Sequence, residues 1–230
     1  MTQPTPIRRG CRPRLLDAFC CSGGMAMGFH LAGFDVVGVD IEPQPDYPFA
    51  FVQADAVDFI REHGAEFDLV HGSPPCQAWT PLNAYNHKTY PELIAPARDA
   101  MRSTGRPYII ENVEAARGEL IDPVMLCGPM FGLNVYRHRL FETGGFTLTP
   151  PQHPAHKRLC VRNGYLPTSE RPFMTITGGR HSKAWQRAAA NAMGTPWITT
   201  IRGVCEAIPP AYSQWIGTRY MATLEGSAAA

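Results

Sequence analysis

A doubly wound α/β sheet is the fold that the 230-residue chain predicts, and three observations carry it. Short apolar runs alternate with helix-length stretches through the first half, the pattern of strand–helix–strand units. A glycine turn, Asp17-Ala-Phe-Cys-Cys-Ser-Gly-Gly24, separates the first apolar run from the first helical one. A buried run at Phe67–Val70 stops at Gly72-Ser-Pro-Pro-Cys76. Two prolines stiffen that loop, and ligands bind off the carboxyl ends of strands in such sheets.

Taken in order, residues 1–13 read as a loose arm containing Pro4, Pro6, Arg8, Arg9 and Arg12. Arg14–Phe19 is a short buried strand, and Met25–Ala32 a helix that Gly33 terminates. Asp35–Asp40 is the second strand, closed by Pro43 and Pro45, and Phe49–Val52 the third. A helix over Val57–Glu62 ends near Gly64, and the Phe67–Val70 strand follows. A longer helix runs from about Pro91 to Arg102, where Gly105 stops it, and Pro107–Val113 is again strand then loop. From Gly144 to about Pro172 the chain is rich in Pro, His, Gly and Arg, with little periodicity. Ala184–Met193 reads as helix, and the last apolar segment, Val204–Tyr220, is broken by Pro209-Pro210. The expected division is an arm (1–13), a core (14–143), a small irregular basic insertion (144–190), a segment completing the core (191–222) and a tail (223–230).

Composition bounds the function. A 44% hydrophobic, 18% charged chain is an ordinary globular one, no apolar run reaches membrane length, and the N-terminus is no signal peptide. Seven cysteines without framework spacing suggest reduced thiols in a cytoplasmic setting. The formal charge is only +1, but it is unevenly spread. Between Arg137 and Arg187 nine Lys/Arg face two acids, Glu142 and Glu170, a net +7 that leaves −6 for the remainder. Such asymmetry points to one face meeting a polyanion.

The chemistry-bearing residues sit at strand ends. A thiol at Cys76, held in a stiff loop, is a candidate nucleophile. The glycine turn offers backbone N–H groups to an anionic or zwitterionic cofactor, although it is not G-x-G-x-x-G. Asp40 ends the second strand, where a carboxylate meets ribose hydroxyls in such folds, and Asp55 follows the third, able to accept from an exocyclic amine. Each acid is also a common strand-end or turn residue. His153, His156 and Cys160 have metal-like spacing, but no fourth ligand follows, so no metal site is expected. Trp79 and Tyr85 line the Cys76 loop or simply pack.

These motifs resemble the DNA (cytosine-5) methyltransferase family, and in particular its small bacteriophage-type members. The family's D-x-F-x-G-x-G-G resembles Asp17–Gly24. Its P-C-Q is present as Pro75-Cys-Gln77, its E-N-V as Glu111-Asn-Val113, its R-x-R as Arg137-His-Arg139, and its V-P as Ile208-Pro209. Cys21 stands for a motif glycine, Val135 for a usual Gln and Glu206 for a usual Asn. The interval from Gly144 to Asn191 is too short for a full target recognition domain.

The resemblance implies a Rossmann-like, class I methyltransferase sheet using S-adenosyl-L-methionine. Cys76 would add to cytosine C6, Glu111 would protonate N3 in a dry pocket, and Arg139, with Arg137 behind it, would hold O2 and the Cys76 loop. The residues implied for the cofactor are Asp17, Phe19 on the adenine, Cys20, Gly23 and Gly24 on the methionine part, Asp40 on the ribose, Ile41 on the other adenine face, Asp55 on its amine, Ala56 and Pro75. Those implied for DNA are Gln77, Lys157, Arg158, Arg162, Arg180, Lys183 and Arg187, on a duplex with the target cytosine flipped out. Methylation of a free cytosine nucleotide or RNA base is an alternative that would explain the short recognition region. A DNA-binding subunit that takes its specificity from a partner is another, though no protein partner is indicated.

Overall fold

The structure, a computed structural model, describes residues 12–80 and 89–228. The expected arm and Tyr85 lie outside the described residues, apart from the arm's last two positions. Seven strands form one sheet in the order β3-β2-β1-β4-β5-β8-β6. β1 (Arg14–Ala18), β2 (Asp35–Asp40), β3 (Ala50–Gln53), β4 (Leu69–Gly72) and β5 (Tyr108–Asn112) run parallel. β8 (Arg139–Gly144) is antiparallel to both β5 and β6 (Val124–Leu126). β7 (Val135–Tyr136) and β9 (Met174–Thr175) form a separate parallel pair.

Alternating side chains along the strands feed two apolar layers, as the two-residue period of a strand requires. Leu16, Ala18, Val70 and Ile110 face α2 (Ala56–His63) and α3 (Ile94–Ser103), where they pack with Ile60, Ala97 and Met101. Leu15, Leu69 and Ile109 face α1 (Gly24–Leu31) and α6 (Pro210–Ala228), where they join Phe29, Tyr212 and Ile216. α1 and α6 approach closely because Gly28 has no side chain. A Cβ there would lie 2.0 Å from the Pro210 carbonyl oxygen. The Pro209-Pro210 break in the last apolar segment is the start of α6, with Pro210 as its first helical residue.

The basic insertion is more ordered than expected. β9, the helix α4 (Lys183–Met193) and the short helix α5 (Ile201–Glu206) surround a third apolar cluster. Its buried members include Val135, Val161, Met174, Trp185, Ala189 and Ile198. The cluster draws residues from both sides of the expected boundary at 190, so the insertion packs as a small lobe with the segment that follows it. Its strands escape sequence reading because each is only two residues long.

A buried ion pair fastens the antiparallel edge. Arg98 on α3 donates Nε to Glu142 Oε1 and Nη2 to Oε2, both at 2.7 Å. The same carboxylate also accepts from Tyr108 Oη and the Ile121 amide. Burial would raise the Glu142 carboxyl, but Arg98 and the Ile121 amide outweigh it and hold it below its usual range. This group therefore stabilises the fold above the ordinary carboxylate range, and its contribution fades as pH falls through the lowered folded value. Arg98→Met is expected to cost about 3–5 kcal/mol, because it strands a buried carboxylate. Urea unfolding of the variant against the native chain measures it.

Candidate active site

The strand order reverses between β1 and β4, and a cavity of about 380 Å³ opens there over the carboxyl ends of the parallel strands. One end is lined by Phe19, Cys21, Asp40 and Ile41, the other by Pro75, Cys76, Gln77, Glu111 and Arg139.

The Cys76 loop is stiff for a reason beyond its prolines. Asn112, buried at the end of β5, donates Nδ2 to the Pro74 carbonyl at 2.9 Å, pinning the loop to the neighbouring strand. The Ser73 amide bonds the Ala18 carbonyl, and the Trp79 amide closes the turn onto Cys76 O at 3.1 Å. Burial pushes the Cys76 thiol up, the Glu111 carboxylate adds to the rise, and Arg139 opposes it. Arg139 alone does not offset burial and Glu111, so the site holds the thiol above its ordinary range.

Glu111 is buried, and its Oε1 lies 3.1 Å from Arg139 Nε. The pair lacks the alignment of a hydrogen bond, so this buried oxygen has no hydrogen-bond partner. Arg139 also donates Nη1 to the His138 carbonyl at 2.7 Å.

Arg137 does not join them. It is buried away from the cavity, donating Nη1 to Ile176 O at 2.8 Å and Nη2 to Cys205 O at 2.6 Å. Burial, with Arg139 nearby, pushes it down to about 9, still charged at neutrality. Arg137 and His138 lie between β7 and β8, outside strand geometry, so Arg137 does not share the face of Arg139 and its two bonds tie the small lobe to the core.

At the cofactor end the structure divides the expected residues. Phe19, Asp40 and Ile41 line the cavity there, and Pro75 lines it beside Cys76. Asp40 accepts from the Cys21 and Glu42 amides at 3.1 and 3.0 Å, and its four lone-pair sites leave room for two hydroxyls. Ile41 is 65% exposed beside it, an apolar surface without a protein neighbour to cover it. Phe19 and Cys21 hold left-handed backbone (φ 55° and 44°), conformations that cost of order 1–3 kcal/mol and cluster at functional sites.

Six expected cofactor residues are placed elsewhere. Asp17 is buried beneath the turn, bonded to His71 Nδ1 at 2.7 Å and to Tyr47 Oη. Burial raises its carboxyl in spite of His71. Cys20 lies in the α1 layer, because the left-handed turn at Phe19 and Cys21 presents Cys21 to the cavity instead. Gly23 and Gly24 serve packing: a Cβ on Gly23 would meet Pro48 at 2.7 Å, and one on Gly24 the Ile208 carbonyl at 2.3 Å. Ala56 is core on α2. Asp55 caps α2, its Oδ1 accepting from the Val57 and Asp58 amides, and it is absent from the cavity lining.

Sequence reasoning missed the rim. Arg202 bridges Glu42 and Glu206, each at 2.9 Å, across the cofactor end. The only signal for it was Glu206 standing where the family carries Asn. The six expected basic contacts outside the Cys76 loop, Lys157, Arg158, Arg162, Arg180, Lys183 and Arg187, are all exposed. None of them forms an ion pair among the described residues.

An acceptor set at the end of β2, an exposed apolar face beside it and a thiol on the same cavity fit a class, the S-adenosyl-L-methionine-dependent methyltransferases of the Rossmann-like α/β fold. Comparisons agree with that class. The chain is 25% identical over 86% of its length to the type II methyltransferase M.HgiDI of Herpetosiphon aurantiacus, spanning 74% of that protein. It is 26% identical over 62% of its length to M.AgeI of Thalassovita gelatinovora, spanning only 42% of it. Among solved structures it is similar in fold to a protein described as a DNA modification methyltransferase encoded within an E. coli prophage. That match covers 93% of this chain and 99% of the other, with a TM-score of 0.62 and 15% identity. The S. pombe Dnmt2 methyltransferase matches over 90% of this chain and 97% of its own, at a TM-score of 0.56 and 13% identity. No family model matches the chain. No helix among the described residues is long and apolar enough to cross a membrane.

Proposed function

We propose that the protein methylates C5 of cytosine in DNA through a covalent bond between Cys76 and C6. The observation that carries this reading is the meeting of Cys76, Glu111 and Arg139 on one cavity with Asp40 and Ile41 at its other end. Two relatives are named type II methyltransferases, which supports DNA as substrate.

Cytosine C5 is a poor nucleophile until a thiolate adds at C6. Cys76 gives its proton to water and forms that bond, while Glu111, protonated once the base has entered, passes its proton to N3 and turns the ring into an enamine. Arg139, aligned by Glu111 and the His138 carbonyl, holds the base O2 with a fixed guanidinium fork. Asp40 would hold the ribose of S-adenosyl-L-methionine between Phe19 and Ile41, and when bound that cofactor supplies the electrophilic methyl group taken up at C5. Loss of the C5 proton then expels Cys76 and restores the aromatic ring. A cytosine reaches this cavity only out of the base stack, so it is flipped or single-stranded.

Specificity follows from the small lobe. Its exposed Lys and Arg suit phosphates, which supply affinity without sequence information. Reading several base pairs needs a platform of many side chains in a groove. The expected target is accordingly two or three base pairs, bound with a steep loss of affinity as salt rises. Methylation of unmodified DNA by the purified chain, with 5-methylcytosine mapped by sequence context, tests this. A strict site of four or more base pairs would contradict the short target, and methylation of dCMP but not DNA would replace the reading with a nucleotide one.

A further inference from the structure

Four metal-binding side chains converge outside the cavity, from separate parts of the chain. Cys127 follows β6, His138 lies between Arg137 and Arg139, and His153 and His156 come from the basic insertion. One ligand atom from each lies within 4.8 Å of all the others. The sequence paired His153 and His156 with Cys160, whereas the fold brings Cys127 and His138 to them and leaves Cys160 out.

Two edges of the cluster have the lengths of a tetrahedral site. His138 Nε2 lies 3.1 Å from His153 Nε2, and Cys127 Sγ lies 3.4 Å from His156 Nε2. Ordinary zinc–nitrogen and zinc–sulfur lengths give tetrahedral edges of about 3.3 Å between nitrogens and about 3.6 Å between nitrogen and sulfur. His138 donates its other nitrogen, Nδ1, to Glu114 Oε2 at 2.7 Å. A carboxylate in that place fixes the tautomer so that the Nε2 lone pair turns to the cluster, as behind metal-bound histidines. The His156 ring is held by stacking on Tyr136, at 3.9 Å between centroids.

We propose that Cys127, His138, His153 and His156 bind one structural zinc ion. One thiolate and three imidazoles are a donor set for zinc, and four protein ligands leave no open position for catalysis. Binding releases the Cys127 proton to solvent, and the resulting single positive charge is met by Glu114. The ion clamps the basic lobe, through His153 and His156, to two core segments, the end of β6 and the link into β8 that carries Arg139. Since Arg139 bonds the His138 carbonyl, the clamp also fixes the backbone from which Arg139 reaches the cavity.

The full-length protein, purified without chelator, is expected to contain one zinc per chain by elemental analysis. After zinc removal, cobalt(II) should restore a visible tetrahedral spectrum with a thiolate charge-transfer band that Cys127→Ser eliminates. Glu114→Gln should weaken zinc by about 10–100-fold while leaving all four ligands in place. The native chain decides the matter even where a variant fails to fold. Folded protein that takes up neither zinc nor cobalt, and whose melting temperature neither ion changes, would show a hydrogen-bonded stack instead. A thiolate band that survives in Cys127→Ser would place the metal elsewhere and equally overturn the proposal.

Discussion

Cys76→Ala is expected to abolish methyl transfer while S-adenosyl-L-methionine still binds within about twofold of the native affinity, since removing a nucleophile takes away the chemical step and not the cofactor surface. The cofactor end, with Phe19, Asp40 and Ile41, lies across the cavity from the thiol and shares no hydrogen bond with it. Because burial and Glu111 push the thiol up, its thiolate fraction at neutrality is below that of a free cysteine. Alkylation of Cys76 should therefore be slow at neutral pH and accelerate as pH rises. Single-turnover transfer and calorimetry on the same preparations separate the two effects. Retained transfer in Cys76→Ala would remove the thiol from the reaction.

Glu111→Gln carries the second largest expected effect. Gln keeps the size and an acceptor towards Arg139, but it cannot deliver a proton to N3. The expected loss is about 10²–10⁴-fold in kcat, the usual range for a positioned general acid. KM for DNA should change little, while the melting temperature falls because Arg139 loses its buried ion-pair partner, an effect separate from kcat. A variant that melts early with kcat intact would make Glu111 a structural residue at the end of β5.

The strands that carry the site were legible because a parallel sheet buries both faces, so β1, β2, β4 and β5 read as apolar runs cut by Gly, Pro or Asp. β6, β7 and β9 were not, since two or three residues hold no period and their pairing is set by distant chain. The same contrast runs through the site. Cys76, Glu111, Arg139, Asp40 and Ile41 stand at strand ends, where order along the chain translates directly into position over the sheet. Cys20 and Cys21 exchange roles through two left-handed residues, Phe19 and Cys21, that no spacing announces. Arg137 differs from Arg139 by two positions, yet one ties down the small lobe and the other faces the cavity. Asp17 and Asp55 looked like ligand acids because strand-end carboxylates do both jobs, and here His71 and the α2 amides claim them. The Cys127 cluster was invisible for a plainer reason: its members come from parts of the chain that only tertiary packing brings together.

The central claim, that Cys76 bonds covalently to C6 of a DNA cytosine, is tested most directly with duplex DNA carrying 5-fluorocytosine. Fluorine cannot leave C5 as a proton does, so the reaction halts with protein still attached. The native chain with S-adenosyl-L-methionine should give a denaturation-resistant protein–DNA adduct whose peptide map places the bond on Cys76, and Cys76→Ala should give none. An adduct formed equally by Cys76→Ala, or methylated product released from 5-fluorocytosine DNA without any adduct, would contradict it.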